Sequence, residues 1–377
     1  MCQKGGGAGG AYATPDFGPP LDSPPQIFQT LKHACWGSWL SKRPLSFEKF
    51  RILSNIVFSQ IDEHSPYGGV VPEIASRSHV ESLGPLIDRA LNEASLKLGN
   101  IDGIAATAGP GLVGGLIVGL TTAKGISLGA DIPLIGVNHL EGHALTPLLT
   151  NKISFPYVLL LISGGHTQLI FVKDLGEYIQ LGTTLDDAVG EAFDKAAKFL
   201  DLGYPGGPAL EKISEKGSKD RFNFPRPLLK SQDCDFSFSG LKTSLIREVK
   251  EIEPLTQSDV ADLASSYQTA IIDCLRAKSA RAISMAKEKY GDLDINYFVA
   301  SGGVASNKSI GKSLNELALE NNMEFVAPPI KFCTDNAAMI AWAGGLRLLS
   351  GQEDSLEISV KSRWPLNEMR ISGGIYE

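Results

Sequence analysis

The sequence predicts a layered α/β protein of two domains, and three observations carry that reading. Apolar runs of strand length alternate with helix-length amphipathic stretches from Ile52 onward. At 377 residues and 43 % hydrophobic content, the chain can bury a large core, enough for two domains of ordinary size. Glycine-rich turns follow apolar strands at residues 109–115, 163–165 and 301–303, and exposed amides on such sharp turns can cradle phosphate oxygens.

Residues 1–45 stand apart, with Gly5-Gly6-Gly7, Gly9-Gly10 and Pro19, Pro20, Pro24 and Pro25. That composition predicts poor order. No secretory signal precedes Trp36, and the only trace of a mitochondrial leader is the local excess of Lys32, Lys42 and Arg43. Regular structure is expected from residue 52: a strand over 52–58, an amphipathic helix over 73–97, a strand over 101–108, and a Gly-rich turn into a helix. A strand over 132–137 leads into a helix starting near Asn138. Strands over 157–162 and 168–173 flank a tight turn, as in a hairpin. Helices over 187–200, 241–250 and 258–290 follow, then a strand over 295–300 and a helix over 337–349.

The 35 basic and 42 acidic residues leave a net charge of −7, which argues against coating nucleic acid through general electrostatics. Any RNA contact is therefore local or supplied by a partner. Cys2, Cys35, Cys234, Cys274 and Cys333 are scattered with no C-x-x-C pair, which suits reduced thiols in a cytosol. No window holds the ~18 uninterrupted apolar residues of a membrane span. The best candidate, near 111–123, is broken by glycines and threonines, so a soluble chain is expected.

In His139-Leu140-Glu141-Gly142-His143 the two imidazoles lie four residues apart, on one face of a helix, where they can grip one metal. Glu141 points ~200° away around the helix, badly placed as the general base of a metallopeptidase. The alternative is that both histidines cap or pack the helix. Asp335, in Cys333-Thr334-Asp335-Asn336, is either a third ligand or an ordinary helix cap. Imidazole plus carboxylate suits Zn²⁺ or Fe²⁺ better than Mg²⁺. Ser163-Gly164-Gly165 and Ser301-Gly302-Gly303 read as plain hairpin turns or as one phosphate-facing device used twice. Asp187, Glu191 and Asp194 share a helix face ahead of Tyr204-Pro205-Gly206-Gly207-Pro208, either a solvated acidic face or a ribose site at Asp194 over a glycine floor. Residues 109–115 lack the G-K-[S/T] ending of a P-loop.

Together, Tyr67-Gly-Gly-Val-Val-Pro-Glu-Ile-Ala-Ser-Arg77, Ala108-Gly-Pro-Gly-Leu112, Asn138-His-Leu-Glu-Gly-His143, Ser163-Gly-Gly-His-Thr167 and Asp186-Asp-Ala-Val-Gly-Glu-Ala-Phe-Asp-Lys195 resemble bacterial tRNA threonylcarbamoyladenosine transferases, once described as sialoglycoprotein endopeptidases. Tyr204-Pro-Gly-Gly-Pro208, Phe236-Ser-Phe-Ser-Gly-Leu-Lys-Thr243, Ser301-Gly-Gly-Val-Ala-Ser-Asn307 and Cys333-Thr-Asp-Asn336 continue the likeness in family order to Arg363-Trp-Pro365. The resemblance implies a two-lobed actin-like ATPase fold divided into a segment 1–45, an N-terminal lobe 46–134, a metal- and nucleotide-binding lobe 135–345, and a C-terminal segment 346–377 returning to the first lobe. It also implies one Fe²⁺ or Zn²⁺ on His139, His143 and Asp335. The adenylate part of threonylcarbamoyl-AMP would be held by Leu161, Ile162, Ser163, Gly164, Gly165, Asp194, Gly207 and Asn307. No catalytic residue beyond the metal site is assigned.

The implied reaction moves threonylcarbamoyl to N6 of the adenosine beside the anticodon of ANN-decoding tRNAs. Implied partners are a shorter paralogue of the same fold and a small P-loop ATPase in a bacterial cytoplasm, or a second copy of the chain if the setting is mitochondrial. Membrane association is not expected. Lys242, Arg77, Arg226 and Lys230 are further cations within reach of a phosphate. One departure stands out: family members begin with a two-stranded hairpin that this chain lacks, so its N-terminal lobe is expected to miss two strands unless residues 26–45 substitute. Alternatives to the transferase are an impaired member acting as a binding partner, a metallopeptidase, and a kinase of the same superfold.

Overall fold

The computed structural model describes residues 51–60, 63, 67, 71–203 and 205–369. Expectations for residues 1–45, and for strands replaced by residues 26–45, lie outside the described residues, as does Tyr204. Residues 52–58, predicted as a strand, form none. A strand needs a ladder partner, and among the described residues the first sheet consists of β1 (Ile104–Gly109) and β2 (Leu134–Asn138), paired with each other. Phe58 instead packs beside Leu83 and Ile87, and the Asn55 side-chain oxygen accepts a bond from the Ala338 amide at 3.2 Å.

Helix α1 (Pro72–Ala94) starts on a proline, whose fixed φ suits the first helical position. It stops short of the predicted residue 97 because Ser95 turns left-handed at φ 57°. Strands β1 and β2 run parallel, Ile104 opposite Leu134, joined by α2 (Val113–Ala130) in a β-α-β unit. By length and composition alone, α2 is long and apolar enough to cross a membrane, at 18 residues and mean hydropathy 1.4, despite the glycines that argued otherwise in the sequence. Its apolar side chains are used within the lobe: Leu120 and Ala123 pack with Ile104, Ala106 and Ala108, while Val118 and Ile126 meet Leu83 and Ile87.

The second sheet has the order β5-β4-β3-β6-β7. Strands β3 (Tyr157–Ile162) and β4 (Thr167–Asp174) form the expected hairpin, Ile162 opposite Thr167. Strand β5 (Glu177–Thr183) continues the meander, while β6 (Tyr297–Ser301) and β7 (Glu324–Val326) add in parallel on the other side. Strand β3 is buried on both faces, as continuous apolar strands are. Val158, Leu160 and Ile162 enter a core with Phe193, Leu245 and Tyr267, and Tyr157, Leu159 and Leu161 enter one with Leu140, Ala144 and Val299. Each such side chain contributes about 1.5–3 kcal/mol of burial.

Helix α3 (His139–Thr150) follows β2, and α4 (Val189–Phe199) follows β5. Helix α5 (Gly206–Ser214), read from sequence as a glycine turn, precedes α6 (Ser239–Ile252) and the long α7 (Gln257–Lys289), which opens on a Thr256–Asp259 capping box. Helices α8 (Lys308–Glu320), α9 (Ile330–Cys333) and α10 (Ala337–Leu349) follow β6. The chain after α10 returns along the first sheet: the Asp354 amide donates to the Leu134 carbonyl at 2.8 Å, and the Lys361 amide to that of Ala108 at 2.8 Å. The 109–111 turn serves this packing, since the Gly111 amide donates to the Ser362 carbonyl at 3.2 Å.

On α7, the buried Lys278 ammonium donates to the Ser231 hydroxyl at 2.6 Å and to the Asp233 carboxylate at 3.1 Å. The Ser231 hydroxyl and then Lys278 push the Asp233 carboxyl down from 3.8 to about 2. A depressed carboxyl stabilises the fold above its unfolded value, and that contribution fades as pH falls through the folded one. The difference in urea midpoint between wild type and Asp233→Asn should hold steady above pH ~4 and shrink toward pH ~2. A constant difference down to pH ~2 would overturn this account.

Candidate functional site

Asn138 begins the site, its side chain accepting the Leu140 amide at 2.9 Å and so capping α3 at its first turn. The helix then presents His139 and His143 on one face, ring centroids 4.7 Å apart and nearly perpendicular. Both side chains are almost wholly buried. At the start of α10 the cap is Asn336, whose side chain accepts the Met339 amide at 3.0 Å. Asp335 is thereby left to face α3, its Oδ1 2.8 Å from His143 Nε2 and 3.5 Å from His139 Nε2. One ligand atom from each of the three residues lies within 4.8 Å of the others. Two imidazole nitrogens and one carboxylate oxygen, buried and convergent, fit a divalent transition metal.

Glu141 lies on the other side of α3, fully buried, its Oε1 accepting the Tyr178 hydroxyl at 3.0 Å and its Oε2 3.8 Å from Arg347. Burial pushes its carboxyl up to about 7, against the opposing pull of Arg347. Engaged there, it serves the packing of α3 against β5 and α10 and is not aimed as a base. Arg347 also donates to the Gly136 carbonyl at 3.1 Å.

The two Ser-Gly-Gly turns meet because β3 and β6 are parallel neighbours, with Leu161 opposite Ser301. In the first turn, the Ser163 amide donates to the His166 carbonyl at 2.8 Å, and the Ser163 hydroxyl accepts the His166 amide at 3.1 Å. Leu161 and Ile162 are fully buried below it, and Gly164 and Gly165 lie partly open. In the second, Gly302 adopts φ +99°, and a Cβ there would sit 2.4 Å from the Ile162 carbonyl. The Ser301 hydroxyl donates to the His143 carbonyl at 2.9 Å, which joins the turns to the histidine helix. His166 was not singled out from the sequence. Burial first, and His143 next, push its imidazole down to about 4, against the pull of Asp335, so it is neutral at pH 7.

Asp194, Gly207 and Asn307 are gathered around α5. Asp194 accepts the Gly206 amide at 2.9 Å, and desolvation raises its carboxyl above the ordinary value. Asn307 caps α8 through the Ile310 amide at 2.9 Å and donates to Gln268 at 2.8 Å, and Gln268 donates to Ser214 at the end of α5, 2.9 Å away. Sequence reasoning missed Gln268, whose one signal was a polar residue on the buried face of a long helix. The presumed acidic face does not form: Lys195 bridges Asp187 at 2.9 Å and Glu191 at 2.8 Å, while Asp194 turns away to α5.

Since Gly302 combines a left-handed conformation with a backbone contact, Gly302→Ala should destabilise the protein by roughly 2 kcal/mol or more. A chemical-denaturation midpoint equal to wild type would contradict that packing.

Comparison with known proteins places this site in context. Residues 51–342 match the family described as tRNA N6-adenosine threonylcarbamoyltransferase. Proteins of that name from Brucella canis and Brucella ovis are each 55 % identical over 318 residues, 84 % of this chain and 89 % of theirs. Among solved structures, a crystal structure of T. kodakarensis HypF aligns with TM-score 0.50 and 18 % identity, covering 71 % of this chain and 43 % of that one. That likeness speaks for the fold alone, the two-lobed actin-like ATPase architecture.

Proposed function

Because the chain belongs to the tRNA N6-adenosine threonylcarbamoyltransferase family, a family of acyltransferases, we propose that it moves a threonylcarbamoyl group from threonylcarbamoyl-AMP to N6 of the adenosine beside the anticodon of ANN-decoding tRNAs. The observation that carries the reading is the buried His139, His143 and Asp335 donor set, joined to the two glycine turns through Ser301.

His139, His143 and Asp335 would hold one Fe²⁺ or Zn²⁺, which supplies Lewis-acid polarisation of the carbonyl under attack. The amides of Ser163, Gly164 and Gly165 face the phosphate of the donor and stabilise charge gathering on the leaving group. Leu161 and Ile162 fix those amides through the sheet, so the turn undergoes no reorganisation as charge develops. Asp194, Gly207 and Asn307 orient the adenosine part, holding the acyl carbon where the incoming amine can reach it. The neutral imidazole of His166, beside the donor set, leaves the cleft free of an extra positive charge.

The relatives are bacterial, which supports a cytoplasmic setting with a shorter paralogue of the same fold and a small P-loop ATPase as partners. No observation favours peptidase action, given where Glu141 is held.

The test is transfer of labelled threonylcarbamoyl to unmodified ANN-decoding tRNA by the full chain with those partners, with metal content measured in parallel. Loss of several kcal/mol of charge stabilisation corresponds to about a hundredfold or more in rate. His143→Ala should show a loss of that size together with loss of bound metal. Full transfer by that variant would remove the metal's role; adenylate binding without transfer by wild type would make this chain a binding partner.

A further inference from the structure

One motif remains without a task in this reading, the Phe236–Thr243 segment, whose second half starts α6. That helix and the 223–226 stretch enclose an open cleft of about 550 Å³, lined by none of the residues assigned above. Thr243, Ser244 and Arg247 come from one face of α6, at spacings of three and four, and Asn223, Phe224 and Arg226 form the facing wall.

Ser244 is 8 % exposed, yet its hydroxyl has no hydrogen-bond partner among the described residues. A buried polar group left unmade costs about 1–3 kcal/mol, so this hydroxyl marks a place where a ligand completes the bonding. Arg226 is held in position by Asp273, at 3.0 Å through Nε and 2.9 Å through a terminal nitrogen, and by the Phe224 carbonyl at 2.6 Å. Asp273 offsets part of its charge but fixes its plane. Arg247 is two-thirds exposed, and its 3.2 Å pair with Glu248 is of the surface kind that contributes little and exchanges readily. Two guanidinium groups and two hydroxyls form a donor-rich set that matches an acceptor-only phosphate. The volume exceeds what a lone ion fills and accommodates a nucleotide unit. A net charge of −7 requires any polyanion contact to be local, as this one is.

We propose that this cleft is a phosphate subsite that takes a backbone phosphodiester of the RNA substrate. The proposal rests on the tRNA-transfer reading above. Arg247, mobile at the rim, meets the phosphate first; Ser244 and Thr243 donate from the helix face; Arg226 supplies a fixed wall.

The experiment measures binding of fluorescently labelled, unmodified tRNA to the full chain with its partners across a salt series. Wild type, Arg247→Ala and Ser244→Ala are compared, and adenylate affinity is measured alongside. Arg247→Ala should weaken tRNA binding about three- to tenfold and lower the slope of log K against log salt by about one. Ser244→Ala should weaken it about twofold or more. Adenylate affinity should stay within about twofold of wild type in both. Unchanged tRNA affinity in both variants, with wild-type transfer intact, overturns the subsite alone. Loss of adenylate affinity with tRNA affinity unchanged assigns the phosphate to a free nucleotide and overturns the RNA source. Absence of tRNA transfer by wild type removes the functional reading and this inference with it.

Discussion

Parallel pairing of β3 with β6 is the constraint from which the rest of the structure follows. It places two Ser-Gly-Gly turns at the same sheet edge, and they approach so closely that Gly302 leaves no room for a side chain over the Ile162 carbonyl. Ligand sites in open α/β sheets lie beyond the carboxyl ends of parallel strands. Here the two loops leaving those ends are tied to each other and, through Ser301, to the helix that carries both histidines.

The second consequence is that the site draws on elements far apart in sequence. His143 and Asp335 are separated by 192 positions and meet at 2.8 Å. Their approach depends on α10 lying against α3, which the Trp342 indole fixes by donating to the Leu145 carbonyl at 2.9 Å. Arg347, one turn further along α10, reaches Gly136 and approaches Glu141. The carboxylate that a peptidase reading would need is thus spent on holding together the helices that form the metal site.

The first lobe is organised differently. Its described sheet has two strands, and much of what covers them comes from the end of the chain. Asp354 accepts the Gly136 amide at 2.8 Å, and the Asn138 side-chain amide donates to the Trp364 carbonyl at 2.9 Å. The residues that begin the histidine helix and those that close the chain therefore stabilise one another, and the first lobe and the metal site are coupled through the backbone.

Much of this was legible in the sequence for a physical reason. Strand β3 and helix α10 were read to the residue because a continuous apolar strand and a capped apolar helix carry their own periodicity and end signals. The histidine spacing is likewise local, since two imidazoles four apart on a helix share a face whatever surrounds them. Where the reading erred, at residues 52–58, the apolar pattern was present but a strand exists only with a partner, and pairing is not encoded in the segment itself. Helix α5 was hidden by its Gly-Gly-Pro start, and β7 by its length of three residues. Whether Asp335 caps a helix or faces a metal could not be settled locally, because Thr334, Asp335 and Asn336 all suit a cap. The sequence by itself determined the elements and the chemistry of the donor groups; the tertiary structure decided which donors converge, because convergence depends on long-range packing of α3, α10 and the two turns.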